Sequence, residues 1–201
     1  MTVLSDHDLK SLLLRKELIV HPILSLDQIK GTKIDLRLGN ILYVIKHFER
    51  PFFDPRDKET DVEYGERRYI TFDRHGVILQ PNDFAIAPLF ERVRFPNNLI
   101  GRLDGRSSLG RLGIIVHVTA GGIDPGFSGE LTCELSNLGK VPVAFYPLMR
   151  VASLTVESIS SDSDKPYDLR ADSKYGEELG TSLSKDAEFR YGILDEVEKN
   201  L

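Results

Sequence analysis

LIGRLDGRSSLGRLGIIVHVTAGGIDPGFSGELTCELSN, residues 99–137, holds the pattern from which the architecture can be argued. Three of its runs, LIGRLDG, IIVHV and ELTCELSN, are short and rich in β-branched or alternating apolar residues. Gly, Asp and Pro punctuate them, which is the texture of strands joined by tight turns. Within ELTCELSN, Leu131, Cys133 and Leu135 point one way, while Glu130, Thr132, Glu134 and Ser136 point the other. Between the first two runs, SSLGRLG (107–113) has room for a turn or two of helix.

Working outward, the same texture continues from Ile41 to Glu157 in ILYVIKHF, RRYITF, GVILQ, FAIAPLFERVRF, VPVAFY and RVASLTVES. Many short strands without alternating helices predict a mainly β fold, a sandwich or jelly-roll barrel. At the N-terminus, Ser5 stands three positions before Asp8, and Leu9, Leu12 and Leu13 follow at helical spacing, so a capped helix is expected. GTKIDLRLG (31–39) reads as a short extended piece between two turn glycines. Residues 50–66 form a charged insert without period, expected to be an exposed loop or a long hairpin tip. After Glu157 the chain turns polar and rich in Ser and Asp through residue 186, a composition that cannot bury enough surface to fold alone. It is either a flexible tail or a tail that orders over a ligand, and residues 186–199 can close it with an amphipathic helix. The organisation expected is therefore one β domain over 1–157 with its N-terminal helix, and a dependent C-terminal tail over 158–201.

Composition removes several classes. The 201 residues carry 26 Lys and Arg against 31 Asp and Glu, a net charge of −5. With a pI near 5.6, a general nucleic-acid groove is not expected. One cysteine excludes an intramolecular disulfide framework and a Cys-rich zinc site. No apolar run approaches the roughly 18 residues of a membrane span, so a cytoplasmic protein without membrane partners is the simplest expectation.

Chemistry concentrates in two places. In LDGRSSLGRLG (103–113), Gly105 permits close backbone approach, and Ser107 and Ser108 present hydroxyls and N–H groups at a helix start. Arg106 and Arg111 add guanidinium forks suited to phosphate oxygens. The plainer alternative is a Ser-capped surface helix with ordinary salt bridges; a P-loop is excluded because GxxxxGK[ST] is missing. In VTAGGIDPGFSGELTCELSNLG (118–139), glycines crowd a tight loop around Asp124, and Glu134 lies on the polar face of the strand that follows. Glu134 is either a solvated side chain or, if that face lines a cavity, a general base. Asp35 reads as structural and His117 as a satisfied core histidine. His7, His21, His47 and His75 lack metal-ligand spacing, and Cys133 reads as inert packing.

GRSSLGRLGIIVHVTAGGIDPGFSGELTCELSNLGKVPV (105–143) closely resembles the dCTP deaminase family, a branch of the trimeric dUTPase superfamily. SDHDLKSLL, IKGTKIDLRLGN and KPYDLRADSKYGEELGTSLSKD fit the same family in the same order, from about Leu4 to Asp186. The resemblance implies a distorted, dUTPase-like jelly-roll barrel assembling as a homotrimer with active sites between subunits. It implies zinc-independent hydrolysis of dCTP to dUTP and ammonia, with Mg²⁺ arriving on the triphosphate. The combined zinc-deaminase signature, H-x-E with P-C-x-x-C, does not occur, since one cysteine cannot supply P-C-x-x-C.

By resemblance, the phosphate stretch is Arg106, Ser107, Ser108, Leu109, Gly110 and Arg111. Asp124 faces the deoxyribose, Thr132, Cys133 and Glu134 lie beside the base, and Tyr167, Lys174 and Glu178 belong to the closing tail. Glu134 then moves the proton from water to the leaving nitrogen, while Ser107, Arg111 and the Ala120 carbonyl hold the water. Three positions depart from the pattern: Gly122 replaces a frequent basic residue, Glu178 a frequent Gln, and Phe127 a Tyr that in dUTPases stacks on deoxyribose. The alternatives are a bifunctional enzyme that continues to dUMP and pyrophosphate through Asp124, or a non-catalytic nucleotide-binding trimer.

Overall fold

The computed structural model describes residues 2–45, 65–70 and 76–171, and for 65–67 the backbone alone. Strand β1 (Thr2–Val3) leads into helix α1 (Asp6–Leu14), followed by β2 (Ile19–His21), β3 (Ile29–Lys30), β4 (Lys33–Arg37) and β5 (Ile41–Ile45). Next come β6 (Gly65–Tyr69), β7 (Val77–Leu79), β8 (Phe84–Arg94), β9 (Leu99–Gly105) and the single turn α2 (Ser107–Gly110). The series ends with β10 (Ile114–Ile115), β11 (Gly122–Ile123), β12 (Ser128–Asn137), β13 (Val143–Phe145) and β14 (Arg150–Ser158). The insert up to residue 64, His47, His75, Lys174, Glu178 and the expected helix over 186–199 lie outside the described residues.

Two six-stranded sheets make the distorted barrel. The first runs β11-β9-β14-β4-β3, with β1 added to β14; the second runs β10-β12-β8-β5-β6, with β2 added to β8. All pairings are antiparallel in both. The alternation read in ELTCELSN holds, with Leu131, Cys133 and Leu135 buried and the polar set on the other face. β9 and β14 coincide with the LIGRLDG and RVASLTVES runs. The helix start is also as read: the Ser5 side chain accepts the Asp8 N–H, and Asp8 reaches back to the Ser5 amide.

IIVHV departs from expectation. Only Ile114 and Ile115 join a ladder, because the chain leaves β12 after two residues and crosses toward the first sheet. The central strand β8 contains Pro88, which cannot donate to a ladder. Pro88 is accommodated where the β12 register slips between Glu130 and Thr132. At that slip Leu89 bridges Leu38, and Gly39 donates to the Pro88 carbonyl at 2.9 Å. Gly39 has no room for a side chain, since a Cβ would stand 2.9 Å from the Pro88 oxygen.

Glu91, with 0% of its surface exposed, lies next to this slip. It accepts the Arg37 amide at 2.8 Å, the Arg37 guanidinium at 3.1 Å and the Gln28 side-chain amide at 3.0 Å. Arg37 and Gln28 are buried as well. Removing one member of such a pair strands the other charge in the interior, at a cost of about 3–5 kcal/mol. Burial raises the Glu91 pKa above the ordinary Glu value of 4.5, its hydrogen bonds offsetting part of the rise. The folded protein thus binds the Glu91 proton more tightly than the unfolded chain. This contribution to stability is present below the unfolded value and is lost as pH rises through the folded one. Thermal midpoints measured from pH 4 to 8 should show wild type losing stability with rising pH relative to Glu91→Gln, whose own midpoint lies lower throughout.

Candidate active site

β12 and the crossing segment after β10 fix Glu134. Its amide donates to the Val116 carbonyl at 2.9 Å, and its carboxylate accepts the Val118 N–H at 2.7 Å. The segment then joins the first sheet, where Leu103 donates to the Gly121 carbonyl at 2.7 Å and Gly122 and Ile123 pair with Arg102 and Gly101. Ala120 lies exposed on this crossing. Gly121 fits because it has no side chain: a Cβ there would stand 2.8 Å from the Leu103 carbonyl and 3.3 Å from the His117 ring. His117 is half-buried rather than in the core, and its buried Nδ1 has no hydrogen-bond partner, so the reading of a satisfied core histidine is corrected. It leaves the core because the strand ends two residues earlier.

The arginine-serine turn is anchored differently from the capped helix considered above. Arg106, not a serine, occupies the N-cap of α2, and no side chain caps it. Leu109 is buried and pins the turn, while Ser107, Ser108, Gly110 and Arg111 are exposed. Among the described residues the Ser107 and Ser108 amides make no backbone hydrogen bond, and Arg111 makes no ion pair. Gly105 lets β9 close on Val116, whose methyl would stand 3.1 Å from a Cβ. Arg106 pairs with Asp35 at 2.5 Å.

A third cluster surrounds Asp124. Gly126, at φ +76°, completes a turn in which the Phe127 amide donates to the Asp124 carbonyl at 3.2 Å. The chain beyond β14 returns across this turn: the Tyr167 amide donates to the Pro125 carbonyl at 2.7 Å, and Arg170 donates to the Asp124 carboxylate at 2.6 Å. The Tyr167 ring meets Phe127 edge-on at 5.3 Å, and the Arg170 guanidinium covers Tyr167 at 4.9 Å. Phe127 is thus buried beside Tyr167. Gly126 admits this contact, because a Cβ would meet Asp168 at 2.6 Å and Pro166 at 2.7 Å.

Of the residues singled out in the sequence, Thr132 is exposed on β12, Cys133 buried and Glu134 half-buried. Among the described residues, no hydrogen bond or ion pair joins the 106–111 turn to Glu134 or to Asp124 in one chain. Arg150 and Arg170 were not found by sequence reasoning. Their partners are 115 and 46 positions away, so no local spacing marks them. No group of three or more His, Cys, Asp or Glu side chains suited to a metal occurs among the described residues. No helix there is long and apolar enough to cross a membrane.

Residues 3–159 match the dCTP deaminase-like family. A Methanosphaera stadtmanae protein named dCTP deaminase, dUMP-forming, is 42% identical over 186 residues, covering 92% of this chain and 94% of that protein. A Haloarcula marismortui protein named dCTP deaminase is 41% identical over 184 residues, covering 91% of this chain and 94% of that one. In fold, the chain is similar to the solved 2′-deoxycytidine 5′-triphosphate deaminase of Agrobacterium tumefaciens, with a TM-score of 0.63 at 23% identity. That match covers 78% of this chain and 48% of the solved one, so this chain spans about half of its length. The chain belongs to the dCTP deaminase-like family.

Burial, with the nearby Glu134 charge, pushes the Cys133 thiol up to about 12. At pH 8 only about one such thiol in ten thousand is ionised, and the thiolate is the reactive form. Native protein should therefore leave a disulfide-exchange reagent such as DTNB unreacted over an hour at pH 8. Addition of guanidinium chloride should release one equivalent of colour.

Proposed function

We propose that the protein deaminates dCTP hydrolytically and carries the product on to dUMP and pyrophosphate. The observation that carries the first step is the Glu134 carboxylate, held on the polar face of β12 by the Val118 N–H at 2.7 Å. Water adds to carbon 4 of cytosine and ammonia departs, so a base must take a proton from water and return it to the leaving nitrogen. One oxygen of Glu134 is occupied by the amide, which orients the carboxylate and leaves its other oxygen for this transfer. The Ala120 carbonyl, Ser107 and Arg111 hold the water and the charge that develops on the ring. No protein-bound zinc enters this reading, because a chain with a single cysteine lacks the P-C-x-x-C half of the zinc-deaminase signature.

The site is read as shared between subunits of a homotrimer. Among the described residues no hydrogen bond or ion pair joins the 106–111 turn to Glu134 within one chain, which supports a pocket completed by a neighbour's turn. Leu112, Ile115, Val118 and Leu138 support this, being exposed apolar residues along and around the edge strand β10. Arg106, the Ser107 and Ser108 amides and, from the tail, Lys174 meet the triphosphate, which carries Mg²⁺ between its oxygens. Thr132 and Cys133 border the base through the backbone, and Tyr167 lies beside the Asp124 turn on which the sugar would rest.

The sequence favours release of dUTP as its main reading, and the dUMP-forming name of the Methanosphaera relative supports the onward step instead. In that step Asp124 activates a water toward the α-phosphate. Glu134→Gln should lower ammonia release by about 10³-fold while dCTP binding stays measurable by calorimetry. Incubation with dCTP and Mg²⁺ should give one dUMP and one pyrophosphate for each ammonia. Accumulation of dUTP in step with ammonia would place the protein with the monofunctional deaminases, and nucleotide binding with no product would leave a regulatory trimer. Asp124→Asn should retain ammonia release and stop at dUTP.

A further inference from the structure

We propose that Asp35 is the positioning residue for the phosphate-binding arginine Arg106, and that Arg150 keeps the cluster cationic while it does so. Asp35 lies on β4, 15% exposed, with Arg106 at 2.5 Å on one carboxylate oxygen and Arg150 at 3.2 Å on the other. The sheet dictates the arrangement. β14 separates β4 from β9, Ser153 faces both Asp35 and Asp104, and Arg106 follows immediately where β9 ends. Arg106 is the N-cap of α2 and has no side-chain cap of its own to restrain it. A long side chain at such a place loses rotamer freedom when it meets a ligand, and a carboxylate already holding it removes much of that cost.

A single carboxylate on a single guanidinium would neutralise the charge that a phosphate needs. Here two guanidiniums share one carboxylate, so the cluster keeps a net charge of about +1. Two accounts of Asp35 then predict opposite signs. If charge alone mattered, Asp35→Asn would raise the cluster to about +2 and tighten binding of a polyanion. If Asp35 positions Arg106, the same change weakens that binding, because the fork is no longer held toward the triphosphate.

The inference rests on the reading of residues 106–111 as the phosphate site, and the experiment separates the two. Inorganic tripolyphosphate serves as a competitive inhibitor of dCTP turnover by the full-length protein. For Asp35→Asn, the inhibition constant of tripolyphosphate and the KM for dCTP should each rise roughly tenfold, with kcat within twofold of wild type. Asp35→Glu retains the charge and moves the carboxylate by one methylene. It should shift both constants in the same direction by a smaller factor, and it serves if the Asn variant fails to fold. Lys33→Gln, on the same strand as Asp35, removes the exposed Lys33–Asp104 pair and should change neither constant. Tighter or unchanged tripolyphosphate inhibition in either folded Asp35 variant overturns the positioning role. A fall confined to kcat overturns it too. Wild-type protein that turns over dCTP yet ignores tripolyphosphate overturns the phosphate reading itself.

Discussion

A carboxylate without exposed surface must find its hydrogen-bond donors inside the protein, and Glu91 finds them on Arg37 and Gln28. Glu91 belongs to β8 in the second sheet and Arg37 to β4 in the first, so the contact fixes how the sheets close on each other. The Leu38–Leu89 bridge lies next to it. Because the desolvation of both charges is so costly, no neighbouring register offers an equivalent. Asp35 stands two residues before Arg37 on the same strand, so its direction toward Arg106 and Arg150 follows from the same register.

The groups singled out as candidates are carried on regular elements by short-range ties. Glu134 is held by the crossing segment, Arg106 by Asp35, and Asp124 by Arg170 from the chain beyond the last strand. Each tie fixes a group that would otherwise rotate in solvent. The crossing segment matters most to this arrangement: it leaves β12 at Val116, presents Val118 to Glu134, exposes Ala120, and reaches β9 through Gly121.

Legibility followed the range of the interaction. Strands with clear alternation or apolar runs, such as 99–105 and 150–158, could be bounded from the chain alone, as could the Ser5–Asp8 cap. IIVHV could not, because its apolar content is shared between two ladder residues and a crossing whose direction depends on the opposite sheet. His117 was misplaced for the same reason. The α2 cap was misjudged because Arg106 takes the N-cap with no side chain capping it, and its ion-pair partner Asp35 lies 71 positions earlier in the chain. The contact of Phe127 with Tyr167 was likewise not legible, because Tyr167 reaches it from the chain beyond the last strand.

Residue types and their spacing alone were enough to determine the mainly β class, the alternation that buries Cys133 and turns Glu134 outward, and the likeness to the dCTP deaminase family. These depend on periodicity and on local motifs, which a linear chain states directly. Only the tertiary structure decided which partner each charged group takes: Arg37 with Glu91, Arg106 and Arg150 with Asp35, Arg170 with Asp124. An ion pair is selected by distance in space, and strand pairing brings together residues whose separation along the chain carries no signal.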